Sequence, residues 1–393
     1  MSNSRWIETT LGDLATVRRG ASPRPIASPR WFDASSEVRW VRIADVNRSD
    51  GRLLTSTTQA LSPDGVVRSR YLEPGTLIMS IAATVGVPVI TAVQSCIHDG
   101  FVSLQRLQAD QQFLLYLLKS SEHLLREAGQ SGSQTNINSD IVREFEVRIP
   151  ASKEEQKRIG TTLWETDDLI SSLDAVLRKQ RDIKQGLMQE LLSGRTRLPG
   201  FAGEWVDTQL GSVLKFQAGF PFESRYFATT PRGVRLVRNR DLRADDSITF
   251  YEGPYSADYV LRSGDVLVGM DGDFEPVIWR SEGALLNQRV GRLRASSQVS
   301  SAYLAYALWS PLKELQASTG ATTVKHLSHS DVEKMTLSLP GVVEQQAIAE
   351  VLLDADKEIS ALERQLESAR AIKEGMMQEL LTGRTRLVPE VAS

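Results

Sequence analysis

Arginine is the side chain whose clustering could do chemistry in this sequence. Residues 1–70 hold eleven Arg and no Lys against seven acids, and residues 225–243, "RYFATTPRGVRLVRNRDLR", hold six Arg and one acid. A guanidinium can present two parallel N–H donors to a guanine edge, and either cation can neutralise a phosphate. The candidates are Arg18, Arg19 and Arg24 in "VRRGASPRP", then Arg39, Arg42 and Arg48 in "RWVRIADVNRSDGR". Their counterparts are Arg225, Arg235, Arg238, Arg240 and Arg243. Two polar stretches, "GQSGSQTNIN" and "STGATTVKHLSHS", add Gln134, Thr135, Asn136, Lys325 and His326, residue types suited to base edges and phosphates. The net charge of -3 masks these clusters, because residues 341–393 alone carry ten acids against six bases.

Catalytic constellations are missing from the sequence. There is no phosphate-cradling Gly-Lys loop and no dinucleotide-binding glycine fingerprint. The four histidines, His98, His123, His326 and His329, form no metal-ligand spacing, so no metal site is expected, and the pair at 326 and 329 reads as surface or DNA-facing. An adenine methyltransferase would need an Asn/Asp-Pro-Pro-aromatic loop, and the chain has no Pro-Pro. Asp331, Glu333 and Lys334 imitate a nuclease pattern, but so short a match arises by chance. The single cysteine, Cys96, excludes an internal disulfide and reads as a small buried hydrophobe. "MSNSRWIETT" has no signal-peptide core and no apolar run reaches the length of a membrane span, so a cytoplasmic protein is expected.

The elements that must hold these side chains come in two copies. "KQGLMQELLSGRTRL" (184–198) returns as "KEGMMQELLTGRTRL" (373–387) with twelve of fifteen positions identical. "WIETTLGDLATVRRG" from Trp6 matches "WVDTQLGSVLKFQAG" from Trp205, "VRWVRIADV" matches "VRLVRNRDL", and "YLLKS" matches "YALWS". The chain therefore reads as a tandem duplication. Each half begins with short β-branched segments such as "WVRIADV", "TLIMSIA" and "VPVITAV", then one or two short helices around "QQFLLYLLKSSEHLLREA" or "SAYLAYALWSPLKELQAS".

Each half then closes with a long helix. Apolar residues fall at Ile159, Leu163, Ile170, Leu173, Leu177, Leu187 and Leu191, and again at Ile348, Leu352, Ile359, Leu362, Leu366, Met376 and Leu380. Sustained three-four spacing argues for a coiled-coil seam, and the matching seams predict that the two helices pair antiparallel with a pseudo-twofold relation. At 1.5 Å per residue each helix would span roughly 60 Å, ending at Gly194 or Gly383. The expected class is α+β: strand-rich globules over 1–151 and 199–341, helices over 152–198 and 342–387, and a short tail at 388–393.

This set of motifs resembles the specificity subunit of type I restriction-modification systems across essentially the whole chain. The paired "MQELLSGRTRL" and "MQELLTGRTRL" look like the ends of that family's central and distal helices. "EQKRIGTTLWETDD" and "EQQAIAEVLLDADK" are similar to its helix starts, and "MSIAATVGVPVI" and "LLNQRVGRL" to elements of its recognition-domain core. Asn287 and Gln288 stand closer to the usual pattern than His98 and Asp99 at the matching place in the first half, which implies that the halves read different bases. The resemblance implies a non-catalytic subunit binding double-stranded DNA, each globule reading one half of a split asymmetric site. The helix pair would set the half-site spacing and dock two modification (methyltransferase) subunits; a restriction subunit would complete the assembly. The partners would bring S-adenosylmethionine, ATP and Mg, leaving this chain without a cofactor. Two alternatives remain open: a recognition subunit of a related methyltransferase or nuclease complex, and an enzyme in its own right. A coiled-coil scaffold that ignores DNA is a third.

Overall fold

The computed structural model describes residues 6–129, 137–243, 247–318 and 326–387. The chain divides into two compact units, Met1–Asp174 with Arg364–Ser393, and Ala175–Glu363. This division cuts across the linear segmentation, because each long helix, α1 (Lys153–Leu191) and α2 (Val342–Leu380), contributes one end to each unit.

In the first unit Trp6–Thr10 pairs antiparallel with Glu146–Pro150. A five-stranded sheet runs in the order Thr16–Arg19, Phe101–Gln105, Leu77–Ser80, Pro88–Thr91, Leu53–Leu54. Its central strand Leu77–Ser80 is buried on both faces, which explains the unbroken apolar run in "TLIMS". A second sheet orders Gln59–Ala60, Arg39–Val41, Ser95–Ile97 and Arg70–Leu72, with a parallel pairing of Arg39–Val41 on Ser95–Ile97.

The second unit repeats this plan. Val206–Gln209 pairs with Thr336–Leu339, one sheet orders Leu214–Ala218, Val290–Ala295, Val266–Gly269 and Pro276–Ile278, and Val234–Val237 lies parallel to Leu285–Leu286 in the other. "WVRIADV" differs from the expected strand. Only Arg39–Val41 is extended, and Ile43–Arg48 turns into a short helix because the Asp45 carboxylate caps its start by accepting from the Arg42 N–H. The helical stretches fall as the spacing predicts, at Gln111–Ser120 and Glu122–Ala128, then Ser301–Ala307 and Trp309–Ser318.

Within each unit one long helix starts where the other ends. In the first, Ile159 and Leu163 share a core with Leu380 and Leu381, and Met376 packs against it. In the second, Ile348 and Leu352 share a core with Leu191, and Leu187 packs alongside. Ion pairs join rising α1 numbers to falling α2 numbers: Asp167 to Lys373 and Asp174 to Arg370 in the first unit, Arg181 to Glu363 and Lys184 to Asp356 in the second. The helix ends are therefore antiparallel in both units. Of the fourteen seam residues, Leu177, Ile359 and Leu366 are buried with those core positions, while Ile170, Leu173 and Leu362 are half-buried. Both helices stop three residues before the glycine that the sequence marks as their end; Gly194 and Gly383 take φ +68° and +75° beyond Leu191 and Leu380.

Two side chains in the repeated helix starts explain their "EQ". Gln156 donates to the Pro150 carbonyl at 2.8 Å and accepts from the Asp110 N–H at 2.9 Å. Gln345 does the same with Pro340 and Ser300, at 2.8 and 2.9 Å. Each glutamine thus ties its helix start to the last strand and to the N-cap of a short helix. Glu155 and Glu344, only 2% and 3% exposed, receive Arg386 and Arg197, the second arginines of the two "GRTRL" copies.

Candidate nucleic-acid interface

The predicted arginines divide into those that build the fold and those that face solvent. Asp45 is 1% exposed and gathers several donors: the Arg42 N–H at 3.0 Å, Arg48 Nη2 at 2.5 Å, and the N–H and hydroxyl of Thr58, both at 3.1 Å. The Arg42 guanidinium lies 3.8 Å from it and donates to the Thr58 hydroxyl. Asp241 plays the same part in the second unit, with the Arg238 N–H at 2.9 Å, Arg238 Nε at 3.2 Å and Arg240 at 3.6 Å. A buried carboxylate needs such neutralisation, so part of the arginine clustering is structural. The signal was present as Arg-x-x-Asp in both copies, "RIAD" and "RNRD".

At the turn 98–100 of the first unit, Asp99 accepts from the Ser22 hydroxyl at 2.7 Å and from Arg24 Nη2 at 3.1 Å, and its carbonyl accepts from Arg19 Nε at 2.8 Å. The Ser22 hydrogen bond leads the effects that hold the Asp99 carboxyl below its ordinary range. Arg19 and Arg24 are exposed, so the turn and the loop after Thr16–Arg19 form one polar surface. His98 accepts from the Gly100 N–H through Nδ1 at 2.8 Å, which places its proton on Nε2 when the ring is neutral. Burial pushes its pKa down, favouring the neutral ring. A cleft of about 530 Å³ beside it is lined by Ser22, Arg24, Trp40, Arg42, His98 and Asp99, among others. Arg18 is exposed away from this group, in a cleft it shares with Arg106 and Arg143, and Arg39 is half-buried in its strand.

The matching turn of the second unit carries different residues. Asn287 is 7% exposed and its Oδ1 is buried without a hydrogen-bond partner among the described residues, whereas Gln288 is exposed. Arg289, which follows them, was not among the predicted residues. Its Nη1 lies 3.3 Å from Asp271, and Asp271 lies 2.9 Å from Nδ1 of the exposed His326. The other arginines are scattered. Arg225 pairs with Glu223 at 2.7 Å, Arg235 stacks 5.0 Å from the Trp279 ring, and Arg243 pairs with Asp273. Gln134, Thr135, Asn136 and Lys325 lie outside the described residues.

The nuclease-like trio has structural employment: Asp331 caps a short helix with Ser328, and Glu333 accepts from the Phe216 N–H at 3.2 Å. Cys96 is fully buried, and burial pushes its thiol up to about 11. No helix among the described residues is long and apolar enough to cross a membrane.

Two copies of this architecture, each with a polar turn beside arginine-bearing loops, correspond to two matches with one family, the type I restriction modification DNA specificity domain, at residues 3–180 and 203–369. The chain belongs to this family. Among relatives, the EcoBI specificity subunit of Escherichia coli is 34% identical over 185 residues, covering 46% of this chain and 39% of that one, so the match spans about two-fifths of that relative. The MjaVIII specificity subunit of Methanocaldococcus jannaschii is 25% identical over 304 residues, 71% of each chain. The crystal structure of a type I restriction-modification S subunit from M. genitalium superposes with a TM-score of 0.67 at 14% identity, covering 97% of both chains. A chain from a structure of type I R-M complex assembly and conformational transition gives 0.54 at 16% identity, covering 96% of this chain and 97% of that one. These two likenesses establish the shared fold of the tandem specificity domains.

Proposed function

We propose that this chain is the DNA-specificity subunit of a type I restriction-modification complex and is itself non-catalytic. Each unit reads one half of a bipartite, asymmetric site in double-stranded DNA, through the turns at 98–100 and 287–289 and the loops around them. The observation that carries this reading is the two-copy family match, which assigns one specificity domain to each half. The different residues at the two turns support an asymmetric site, because an acid and an arginine select different base edges. Arg18, Arg19, Arg24, Arg225, Arg240 and Arg243, all exposed, are the sequence-chosen arginines best placed for phosphate or base contact.

Two methyltransferase subunits dock on the helices in this proposal and supply S-adenosylmethionine and adenine extrusion. Val176 and Ile183 on the second unit's part of α1 favour such docking: they lie seven residues apart, on one face, and stand 45% and 43% exposed. A restriction subunit would add the ATP- and Mg-dependent steps.

Mapping methylated positions in DNA from cells carrying the complete system tests the reading. Exchanging residues 1–150 for another member's first domain should rewrite one half of the motif, and a change in both halves would contradict independent readers. Inserting a helical turn near Gln180 should alter the gap between half-sites and leave the bases unchanged. Methyl transfer by the purified chain alone would overturn the non-catalytic assignment. DNA binding that ignores salt would overturn the phosphate contacts.

A further inference from the structure

We infer that Arg289 reads a guanine in the half-site of the second unit, held in its reading pose by Asp271, a carboxylate to which His326 Nδ1 also donates. The inference rests on the DNA-reading role proposed above and names a residue and a base for it.

The backbone comes first. Arg289 has φ +72°, a left-handed conformation that non-glycine residues seldom take. It lies in a tight turn in which the Val290 N–H bonds back to the Asn287 carbonyl at 3.2 Å, directly before the strand Val290–Ala295. The Gln288 N–H is tied to the Phe220 carbonyl at 2.9 Å, and the Asn287 N–H to the Val237 carbonyl at 3.2 Å. The turn is thus bonded to two neighbouring segments, and the arginine side chain leaves it in a fixed direction.

The guanidinium is then pinned at one corner. Nη1 lies 3.3 Å from the Asp271 carboxylate and 3.4 Å from Nδ1 of His326. Asp271 is itself positioned, because its carbonyl accepts from Asn239 Nδ2 at 2.7 Å and from the Asp273 N–H at 3.0 Å. Among the described residues no partner engages Nε or Nη2, and the side chain is 57% exposed. Those two nitrogens form the side edge of the guanidinium, where two N–H bonds run parallel. That edge matches the O6 and N7 acceptors of guanine in the major groove, the commonest specific arginine contact. Arg238 has spent the corresponding donors, giving Nε and Nη2 to Asp241. In the first unit Gly100 occupies the equivalent place, so this reader belongs to the second half-site alone.

The test uses the complete modification complex, with methylation mapped across a genome and on duplexes substituted at single positions. The unmodified motif must contain a G·C pair in the half read by the second unit. Arg289→Ala and Arg289→Lys should both leave the first half-site intact and relax one G·C position of the second, lowering the preference there by about ten- to a hundredfold. Lysine keeps the charge and loses the parallel fork, so it separates base reading from ion pairing with Asp271. Retained preference in R289K, an unchanged motif in both variants, or loss of methylation at every site would each overturn the assignment. Methylation that still depends on the first half-site certifies that the variant complex is folded. Replacing residues 199–341 by another member's domain separates the two levels. If that exchange rewrites the second half-site while the Arg289 variants do not, only the Arg289 assignment falls. If it changes nothing, the reading role of the domain falls with it.

Discussion

Glu155 and Glu344 receive their arginines through the same two nitrogens, Nε and Nη2, in both units. Tyr116 and Tyr306 donate to Asp167 and Asp356 at 2.7 and 2.6 Å, and Lys373 and Lys184 close the same carboxylates at 2.6 and 2.5 Å. The turns at 98–100 and 287–289 share their backbone bonding and little else: His-Asp-Gly in one, Asn-Gln-Arg in the other. The contrast separates two kinds of constraint. Side chains that join helix ends to the globules are buried, paired and duplicated, whereas the turn residues differ at all three positions, from half-buried His98 and Asp99 and buried Gly100 to buried Asn287 and exposed Gln288 and Arg289. A framework that is copied and a reading edge that is not is the arrangement expected of a protein with two specificities on one scaffold.

The largest way to break the framework half of this comparison is to remove one guanidinium. Arg386→Ala or Arg197→Ala leaves a carboxylate that is 2% or 3% exposed without its partner, and uncompensated burial of that kind costs about 3–5 kcal/mol. Denaturant unfolding of the two variants should show similar losses, and Glu155→Met with Arg386→Met should recover most of the loss by replacing the pair with apolar contact. Losses that differ severalfold between R386A and R197A would end the claim that the two ends are equivalent.

The framework was largely legible in the sequence and the reading edge was not, for a physical reason. Buried positions leave a period, so Ile159, Leu163, Ile348 and Leu352 announce themselves by three-four spacing and are all at most 1% exposed. Glycines needing positive φ are equally visible, as Gly194 and Gly383 are. The second arginine of each "GRTRL" was visible as a repeat but not as the partner of a glutamate 231 or 147 residues away. At the exposed loops every arginine looks alike. In "RIADVNR" only the Arg-x-x-Asp spacing shared with "RNRD" hints that Arg42 serves the Asp45 cap, and composition alone does not separate it from an arginine available to DNA. Arg289 escaped because nothing in "LLNQRVGRLRA" sets it apart from Arg292 and Arg294, and its left-handed φ and its corner contact with Asp271 exist only in three dimensions.

A smaller and deliberately unequal effect comes from the two glycines. Both take left-handed φ, where a side chain costs about 1–2 kcal/mol, so Gly194→Ala and Gly383→Ala both destabilise. Their surroundings differ: a Cβ on Gly194 would meet the Trp205 ring at 3.3 Å, an adjustable approach, whereas one on Gly383 would meet the Trp6 ring at 2.5 Å. The added clash should take G383A past G194A by about another 1–2 kcal/mol, the range for overpacking. Thermal melts of the pair measure this directly. Equal shifts would mean that Trp6 moves aside freely and that the two helix ends are packed alike.

The smallest effect sharpens the comparison at a place where the copies disagree inside the framework. Lys119 stands in the first unit where Trp309 stands in the second. Burial, and then the charge of Lys373, push the Lys119 ammonium down to about 8; Arg52 acts in the same direction, while Asp167 and Asp50 oppose it. The unfolded lysine titrates near 10.4. Below pH 8 both states are protonated and the folded one carries the unfavourable charge. Between 8 and 10.4 the folded state sheds its proton first, so this site's penalty fades as pH rises. Lys119→Met removes the charge while keeping the length of the side chain. It should therefore stabilise the protein at pH 7 by about 1–2 kcal/mol, set against the weak contact of the ammonium with the Tyr116 ring at 5.5 Å. The gain over the unsubstituted chain should shrink as the pH of the unfolding measurement is raised from 7 to 10, because titration of all other groups cancels in the difference. A gain that holds constant across that range would mean that Lys119 is not held against its charge, and that the first unit tolerates a lysine there as easily as the second tolerates tryptophan.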